Sequence, residues 1–389
     1  MPDPRIPDLN PVYISSIGVF LPGEPVDNDR IEEVLGKIGD TPSRSKELIL
    51  RNNGINTRYY AIDPATGQMT HSNASMTAEA VKLLCEQADF DLAELECMAC
   101  GTSSPDQLQP NHGAMVHGLL DAPPCEVVTT TGVCCSGMSA FNYGAMAVAG
   151  GFRRHAITTA SEISSIALRA ASHVSNDPNQ AGNLRNDPAL GFEAEFLRWM
   201  LSDAATASLL TSQKPDRRCY RLEWVEFVSM AHKAGPCMYL GGEKLADGTF
   251  VGWQNAGTAH AAADRGYFRL KQDVRLLTQM IGVLGLESLA EVQRRRTVGE
   301  TPYDWFLPHY SSHYFRRGAI DMLARSGVDL PEDRWFTNLS EKGNTGSASI
   351  FVILEELLSS GRAQPGEKIL CFVPESARFT YAWMELTVV

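Results

Sequence analysis

No apolar run in this 389-residue chain approaches the ~20 residues that a membrane-spanning helix requires. The opening stretch, MPDPRIPDLNPVYISS, has neither a basic segment nor an apolar one, so it does not read as a secretory signal. Positive charge is also scarce, with 34 Lys and Arg against 46 Asp and Glu and a formal net charge of −12. Such a surface argues against nucleic acid or an anionic membrane as the main partner, and leaves room for a local basic patch facing an acidic carrier. Cysteine pairing is the third absence. The nine cysteines are odd in number and scattered through a large chain without a secreted context, so they read as reduced thiols. Together these features point to the cytoplasm. Cys97 and Cys100 have the spacing of half a zinc site, but no second pair or nearby His completes it. They follow an apolar stretch and are expected on a buried strand.

What remains is an ordinary globular composition, 44% hydrophobic and 21% charged, in a chain long enough for two halves around a large core. VYISSIGVFLPGEPVDN reads as a strand broken by a Pro-Gly turn, while RIEEVLGKIG and ASMTAEAVKLLCEQAD carry helical apolar spacing. ELECMACGTSS, CEVVTTTG and HAITTASEISS are short buried strands running into loops. Strands alternating with helices imply an α/β fold with buried, largely parallel strands. From about residue 170 to 200 a polar segment rich in Asn, Asp, Gly and Pro interrupts the rhythm, too long for an ordinary connection. The alternation then returns in YRLEWVEFVSM, a helical stretch near 268 to 292, YDWFLPHYSS, RWFTNLSEKGN, KILCFV and YAWMELTVV. The boundary is expected near residue 214, giving halves 1–213 and 214–389.

Three strand-to-helix junctions carry the chemistry. In TTTGVCCSGMSAF, a β-branched strand meets a helix on which Gly137, Ala140, Gly144 and Ala147 recur at three- and four-residue spacing, which allows close packing. A helix starting near Cys135 places that thiol where unpaired N–H groups favour a thiolate. Adjacent residues on a helix diverge by about 100°, so Cys134 and Cys135 cannot both face one pocket. In WFLPHYSSHYF an apolar strand ends at Pro308 and His309 follows, with His313 one turn on as a competitor. In FTNLSEKGNTGSASI a strand ends, a Gly-containing loop turns and a small-residue helix begins, with Asn344 in the turn. Taken singly, each of these residues also fits a structural role.

Taken together, the junctions resemble those of the thiolase-like superfamily, and most closely the β-ketoacyl-acyl carrier protein synthase III family. The family's A-C-[AS]-G is similar to Cys134-Cys135-Ser136-Gly137, with Cys135 in the nucleophile position. Its P-H-x-x-N resembles Pro308-His309-Tyr310-Ser311-Ser312, with the final Asn replaced, and its G-N-T-S-A-A-S resembles Gly343-Asn344-Thr345-Gly346-Ser347-Ala348-Ser349. RNNGINTRYYA and MLSDAATASLL extend the resemblance over nearly the whole chain.

The resemblance implies a five-layered α/β/α/β/α fold of two pseudo-symmetric halves, assembled as a homodimer. It implies that Cys135 accepts an acyl group from a thioester, and that His309 and Asn344 hydrogen-bond the enolate of a malonyl or β-ketoacyl thioester. A carbon–carbon bond then forms by Claisen-type condensation, in fatty-acid or polyketide-type synthesis. No metal or redox cofactor is required. The family's Gly-Gly-Gly-Phe-Thr loop reads Ser376-Ala377-Arg378-Phe379-Thr380, which assigns the backbone oxyanion donor to Arg378.

Family members that use coenzyme A carry a Trp and an Arg where this chain has Leu48 and Asn52. Donors on acyl carrier protein are therefore expected over acyl-coenzyme A. GTSSPDQLQPNHGAMVHG and PESARF look most like a branch that makes dialkylcyclohexanediones and dialkylresorcinols, in which Glu162 would act as an accessory acid or base for ring closure. The alternatives are a non-catalytic ketosynthase-like partner subunit, and a thiolase or hydroxymethylglutaryl-type synthase. The latter would want a second catalytic Cys late in the chain, and Cys371 lies in no Cys-x-Gly motif.

Overall fold

The computed structural model describes residues 9–38, 43, 45–173, 195–245 and 247–389. Most of the polar segment expected between 170 and 200 lies outside the described residues. Nine strands form one hydrogen-bonded sheet: β1 (Val12–Phe20), β2 (Cys97–Thr102), β3 (Glu126–Thr131), β4 (His155–Glu162), β5 (Ala204–Thr211), β6 (Tyr220–Ser229), β7 (Trp305–Pro308), β8 (Lys368–Glu375) and β9 (Thr380–Val388). Their order is β7-β8-β9-β6-β1-β5-β4-β2-β3. The first five strands in the chain thus form one group and the last four another. The groups meet only where Val12–Ile14 of β1 pairs with Tyr220–Leu222 of β6.

The strand order corrects one expectation. Parallel ladders join β2 to β3, β2 to β4 and β7 to β8, but the other pairings in the sheet are antiparallel. Near-continuous apolar runs such as CMACGT record burial on both faces, and that burial does not depend on strand direction. Cys97 and Cys100 both lie on β2, three residues apart and so on opposite faces. They belong to different apolar clusters, which separates the two thiols across the sheet.

Seven helices matter for the site: α1 (Lys46–Asn53), α2 (Asn73–Ala88), α3 (His112–Leu120), α4 (Ser136–Ala149), α5 (Val274–Gln293), α6 (Arg316–Ser326) and α7 (Ser349–Ser359). Helices α2 and α3 cover the outer face of the first strand group, and α5 with α6 the outer face of the second. Between the groups lie α4 and α7, whose Phe141 and Phe351 meet at 5.7 Å between ring centroids. The result is the α/β/α/β/α layering. The small-residue stripe on α4 is what permits this: a Cβ on Gly144 would stand 2.4 Å from Thr158, and one on Gly137 would stand 2.4 Å from Ala160. Among the described residues no helix is long and apolar enough to cross a membrane.

Candidate active site

A cavity of about 310 Å³ opens where the C-terminal ends of β2, β4, β7 and β8 converge. Cys134, His309, Asn344 and Glu162 all line it, with Ser103, Ser104 and Ser376. The apolar part of the wall includes Leu197, Leu201, Met238, Leu277 and Ile281.

Of the cysteine pair, Cys134 lines this space. Cys135 is the N-cap residue of α4, and its Sγ turns between β8 and β9, 3.4 Å from the Val373 carbonyl oxygen and 3.7 Å from that of Thr380. It does not line the cavity. The two side chains diverge, as adjacent residues of a helical turn do.

Both thiols depart from the expected acidity. Burial pushes each of them up, and the Glu375 carboxylate adds to the rise. At the Cys134 sulfur two backbone N–H groups, its own and that of Ser376, act in the opposite sense. Glu375 is the residue that the sequence reading missed. One of its oxygens accepts the N–H of Val133 at 2.9 Å and that of Cys135 at 3.1 Å, so it ties the loop before α4 to the end of β8. Of these two donors, the Cys135 N–H belongs to the helix terminus that was expected to serve the thiolate. Its only trace in the sequence is a carboxylate interrupting an apolar strand in FVPES.

His309 follows β7, and its backbone N–H is held by the Phe372 carbonyl at 2.8 Å. Burial alone lowers its pKa to about 4, so the ring is neutral near pH 7 and keeps one N–H to donate. His313 is engaged elsewhere, with Nε2 3.1 Å from Ser340 Oγ and Nδ1 3.4 Å from the Tyr310 hydroxyl. Ser312, in the position of the family's second Asn, caps the short turn His313–Phe315 by accepting the Tyr314 N–H.

The third junction has no strand before its turn. Trp335 makes only an isolated bridge to Phe306, and a short helix, Leu339–Lys342, leads into the loop. Asn344 is fixed on three sides. Its N–H donates to Met200 O, its carbonyl accepts from Ser202 N, and its Oδ1 accepts from Gly346 N at 3.0 Å. With Oδ1 engaged, the Nδ2 donors are left for the cavity. Gly346 has φ +56°, and a Cβ there would stand 2.8 Å from Glu162 Cγ, so both conformation and space call for glycine.

Glu162 ends β4. Its carboxylate accepts from Ser103 N (3.1 Å), Ser103 Oγ (2.5 Å) and Ser104 Oγ (2.8 Å). Burial raises its pKa, and these donors oppose the rise. Arg378, the expected oxyanion donor, is exposed and outside the cavity, with Nε directed to Ala231 O at 3.3 Å. The chain leaves the cavity one turn earlier, because the Ala377 carbonyl is taken by the N–H groups of Cys237 and Met238. The Ser376 backbone N–H is directed to the Cys134 sulfur. Cys371 is buried within β8 and does not line the cavity.

Residues 294–374 match the family described as 3-oxoacyl-acyl-carrier-protein (ACP) synthase III C terminal. Over 382 residues the chain is 25% identical to β-ketoacyl-acyl-carrier-protein synthase III of Clostridium beijerinckii, covering 96% of this chain and 98% of that one. Over nearly its whole length the chain is thus similar to β-ketoacyl-acyl carrier protein synthase III enzymes. Its fold is also that of AbyA1, a tetronic acid condensing enzyme, at TM-score 0.75 and 19% identity over 97% of this chain and 99% of that one. The 3-oxoacyl-acyl-carrier-protein synthase III of Aquifex aeolicus superposes with TM-score 0.68 at 17% identity, over 97% of this chain and 99% of that one. Leu48 and Asn52 of α1 border a separate cavity of about 180 Å³, with Met200, Val274 and Phe315 among its walls.

Proposed function

We propose that the protein is a ketosynthase-type acyltransferase that uses Cys134 as its nucleophile. The observation that carries this reading is the single cavity shared by the Cys134 thiol, the neutral His309 ring and the oriented amide of Asn344. In the loading step a bond forms from Cys134 Sγ to the acyl carbon, the donor's carbon–sulfur bond breaks, and the thiol proton leaves with the departing thiol. The N–H groups of Cys134 and Ser376 serve the oxyanion of that step. In the second step a malonyl thioester loses carbon dioxide, or a β-ketoacyl thioester loses an α-proton. His309 and Asn344 donate to the enolate oxygen, and the enolate carbon displaces Cys134 Sγ from the acyl group.

The division of labour falls at residue 213/214, with the thiol and Glu162 in the first half and His309, Asn344, Glu375 and Ser376 in the second. The cavity position of Glu162 supports an accessory role in ring closure, as in the dialkylresorcinol-type branch. Glu162→Gln should then release a linear condensed product in place of a cyclised one. The non-catalytic reading is disfavoured by the presence of all three groups, and the thiolase reading by the burial of Cys371 away from them. Among the described residues strand β3 has a partner on one side only, which supports a homodimer joined through that edge. Carrier-bound donors are favoured over coenzyme A, because Leu48 and Asn52 offer neither a π face nor a charge.

Intact-protein mass spectrometry with acyl groups on carrier protein and on coenzyme A, followed by peptide mapping, tests the reading. The adduct is expected on Cys134, absent from Cys134→Ala and retained in Cys135→Ala, with carrier donors ahead by at least ~10-fold in kcat/KM. An adduct on Cys135, or turnover in Cys134→Ala, would refute it.

A further inference from the structure

Glu375 ends β8 and is buried, with its carboxylate against the loop that leads into α4. One oxygen accepts the N–H groups of Val133 and Cys135, so it bonds to the residues on either side of Cys134. A Cβ on Gly132 would lie 3.4 Å from the same oxygen. A single carboxylate oxygen is thereby wrapped by the backbone that carries the thiol.

The clamp does not explain the charge. A glutamine carbonyl oxygen could accept the same two N–H bonds, without the desolvation that a buried carboxylate incurs. Only burial and these two bonds act on the acidity of Glu375, and no cation is among the causes. The rest of the site has the same sign. Asp106, which accepts the Asn73 and Ala74 N–H groups at the start of α2, lines the cavity with Glu162, and no Lys or Arg does so among the described residues. His309 is neutral, and burial holds Tyr381 on β9 in its neutral form too. Reactive thiols are activated by a neighbouring cation or by a free helix N-terminus. Here the α4 terminus gives the Cys135 N–H to Glu375, and two carboxylates, those of Glu375 and Glu162, oppose charge on the Cys134 sulfur.

We infer that Glu375 is an electrostatic brake on Cys134: its negative charge, beyond its two hydrogen bonds, restrains the thiol from reacting with any electrophile not seated in the cavity. The inference rests on the reading of Cys134 as the acyl acceptor. A seated thioester places its carbonyl oxygen on the N–H groups of Cys134 and Ser376, and these donors offset the repulsion only once the acyl group is in place. Glu375 is thus a positioning residue whose charge adds selectivity to the loading step.

The test is the rate of iodoacetamide alkylation at Cys134, assigned by peptide fragmentation, in wild type, Glu375→Gln and Glu375→Asp. Glu375→Gln keeps an acceptor for both N–H groups and removes the charge, so it should alkylate Cys134 about tenfold faster near neutral pH. Cys85, whose charged neighbours are Asp91 and Glu86, and Cys371, buried within β8, should keep their wild-type rates, whereas a loosened fold would raise Cys371 as well. Glu375→Asp keeps the charge and shortens the reach. It should stay within about threefold of wild type, and it decides the matter if the glutamine variant does not fold. An unchanged rate in Glu375→Gln, or an equal rise in Glu375→Asp, overturns the inference. So does a fall of about tenfold in butyryl loading of Glu375→Gln, which would make the carboxylate the proton acceptor of that step. If the acyl adduct maps to Cys135, the functional reading falls, and the alkylation ratio at Cys134 still decides the brake.

Discussion

His309 and His112 are held neutral by the same cause and serve different ends. Burial lowers the pKa of each to about 4. His112 is enclosed, its Nε2 lying 3.4 Å from Thr77 Oγ1 and 3.3 Å from Ser161 Oγ, whereas His309 faces the cavity. For a histidine whose folded pKa lies below its unfolded value near 6.5, the unfolded chain takes up the proton first as pH falls. Its contribution to stability is therefore whole above pH 6.5 and is lost as pH drops toward 4. His112→Gln should flatten that dependence. Between pH 6.5 and 4.5, urea unfolding should show the variant losing up to about 3 kcal/mol less than wild type; parallel curves would contradict the assignment. For His309 the consequence is kinetic. Condensation by enzyme already carrying an acyl group should show no break near pH 6.5, where an ordinary histidine would titrate. His309→Ala and Asn344→Ala should still load at Cys134 while forming little condensed product, because their donors meet the enolate. At this scale the junction motifs set His309 and Asn344 at the ends of elements that meet at one cavity. The cysteine pair was harder to read, because adjacent residues of a helical turn point in different directions. Glu375 left almost no signal, since its partners lie about 240 residues away in the chain.

Elements place these side chains by stopping where they do. Strands β4, β7 and β8 end in Glu162, Pro308 and Glu375, so the polar groups that follow gather at one rim of the sheet. The turn into α7 is the tightest of these placements, with φ +56° at Gly346 and the Glu162 side chain against it. Gly346→Ala should cost at least about 1–2 kcal/mol from the backbone conformation alone, with a further cost from the contact. Thermal unfolding should register that loss. Because Gly346 N–H holds Asn344 Oδ1, condensation should fall more than loading; equal losses in both steps would argue for a general collapse of the fold instead. Helix and strand positions were well marked by period and by Gly-Pro punctuation. The stripe Gly137, Ala140, Gly144 and Ala147 announced a closely packed helix, and α4 is that helix. Strand direction was not marked. An apolar run buried on both faces reads alike in parallel and antiparallel ladders, which is why a mixed sheet was expected to be largely parallel.

Across the whole molecule, the two strand groups share α4, α7 and a short seam at Val12–Ile14. The apolar cluster between the two groups is built from both halves. Without the second half, α4 would expose Met138 and Phe141, and without the first, α7 would expose Phe351 and Ile350. Residues 1–213 and 214–389 produced separately should therefore be aggregated or molten by near-ultraviolet circular dichroism, and should recover order when produced together. Two separately folded, soluble halves would contradict this. The layered architecture was legible from the repeated strand–helix grammar, because it follows from local periodicity. The reliance of each half on the other was not, since it depends on which faces meet. Glu375 adds a consequence in time. During synthesis Cys134 leaves the ribosome long before the strand that ends in Glu375 and Ser376. Throughout that interval the thiol has no clamp on its loop, no second backbone donor and no His309 or Asn344 beside it. A truncated or half-made chain is thus a poor acyl acceptor, and the last strands to emerge switch the chemistry on.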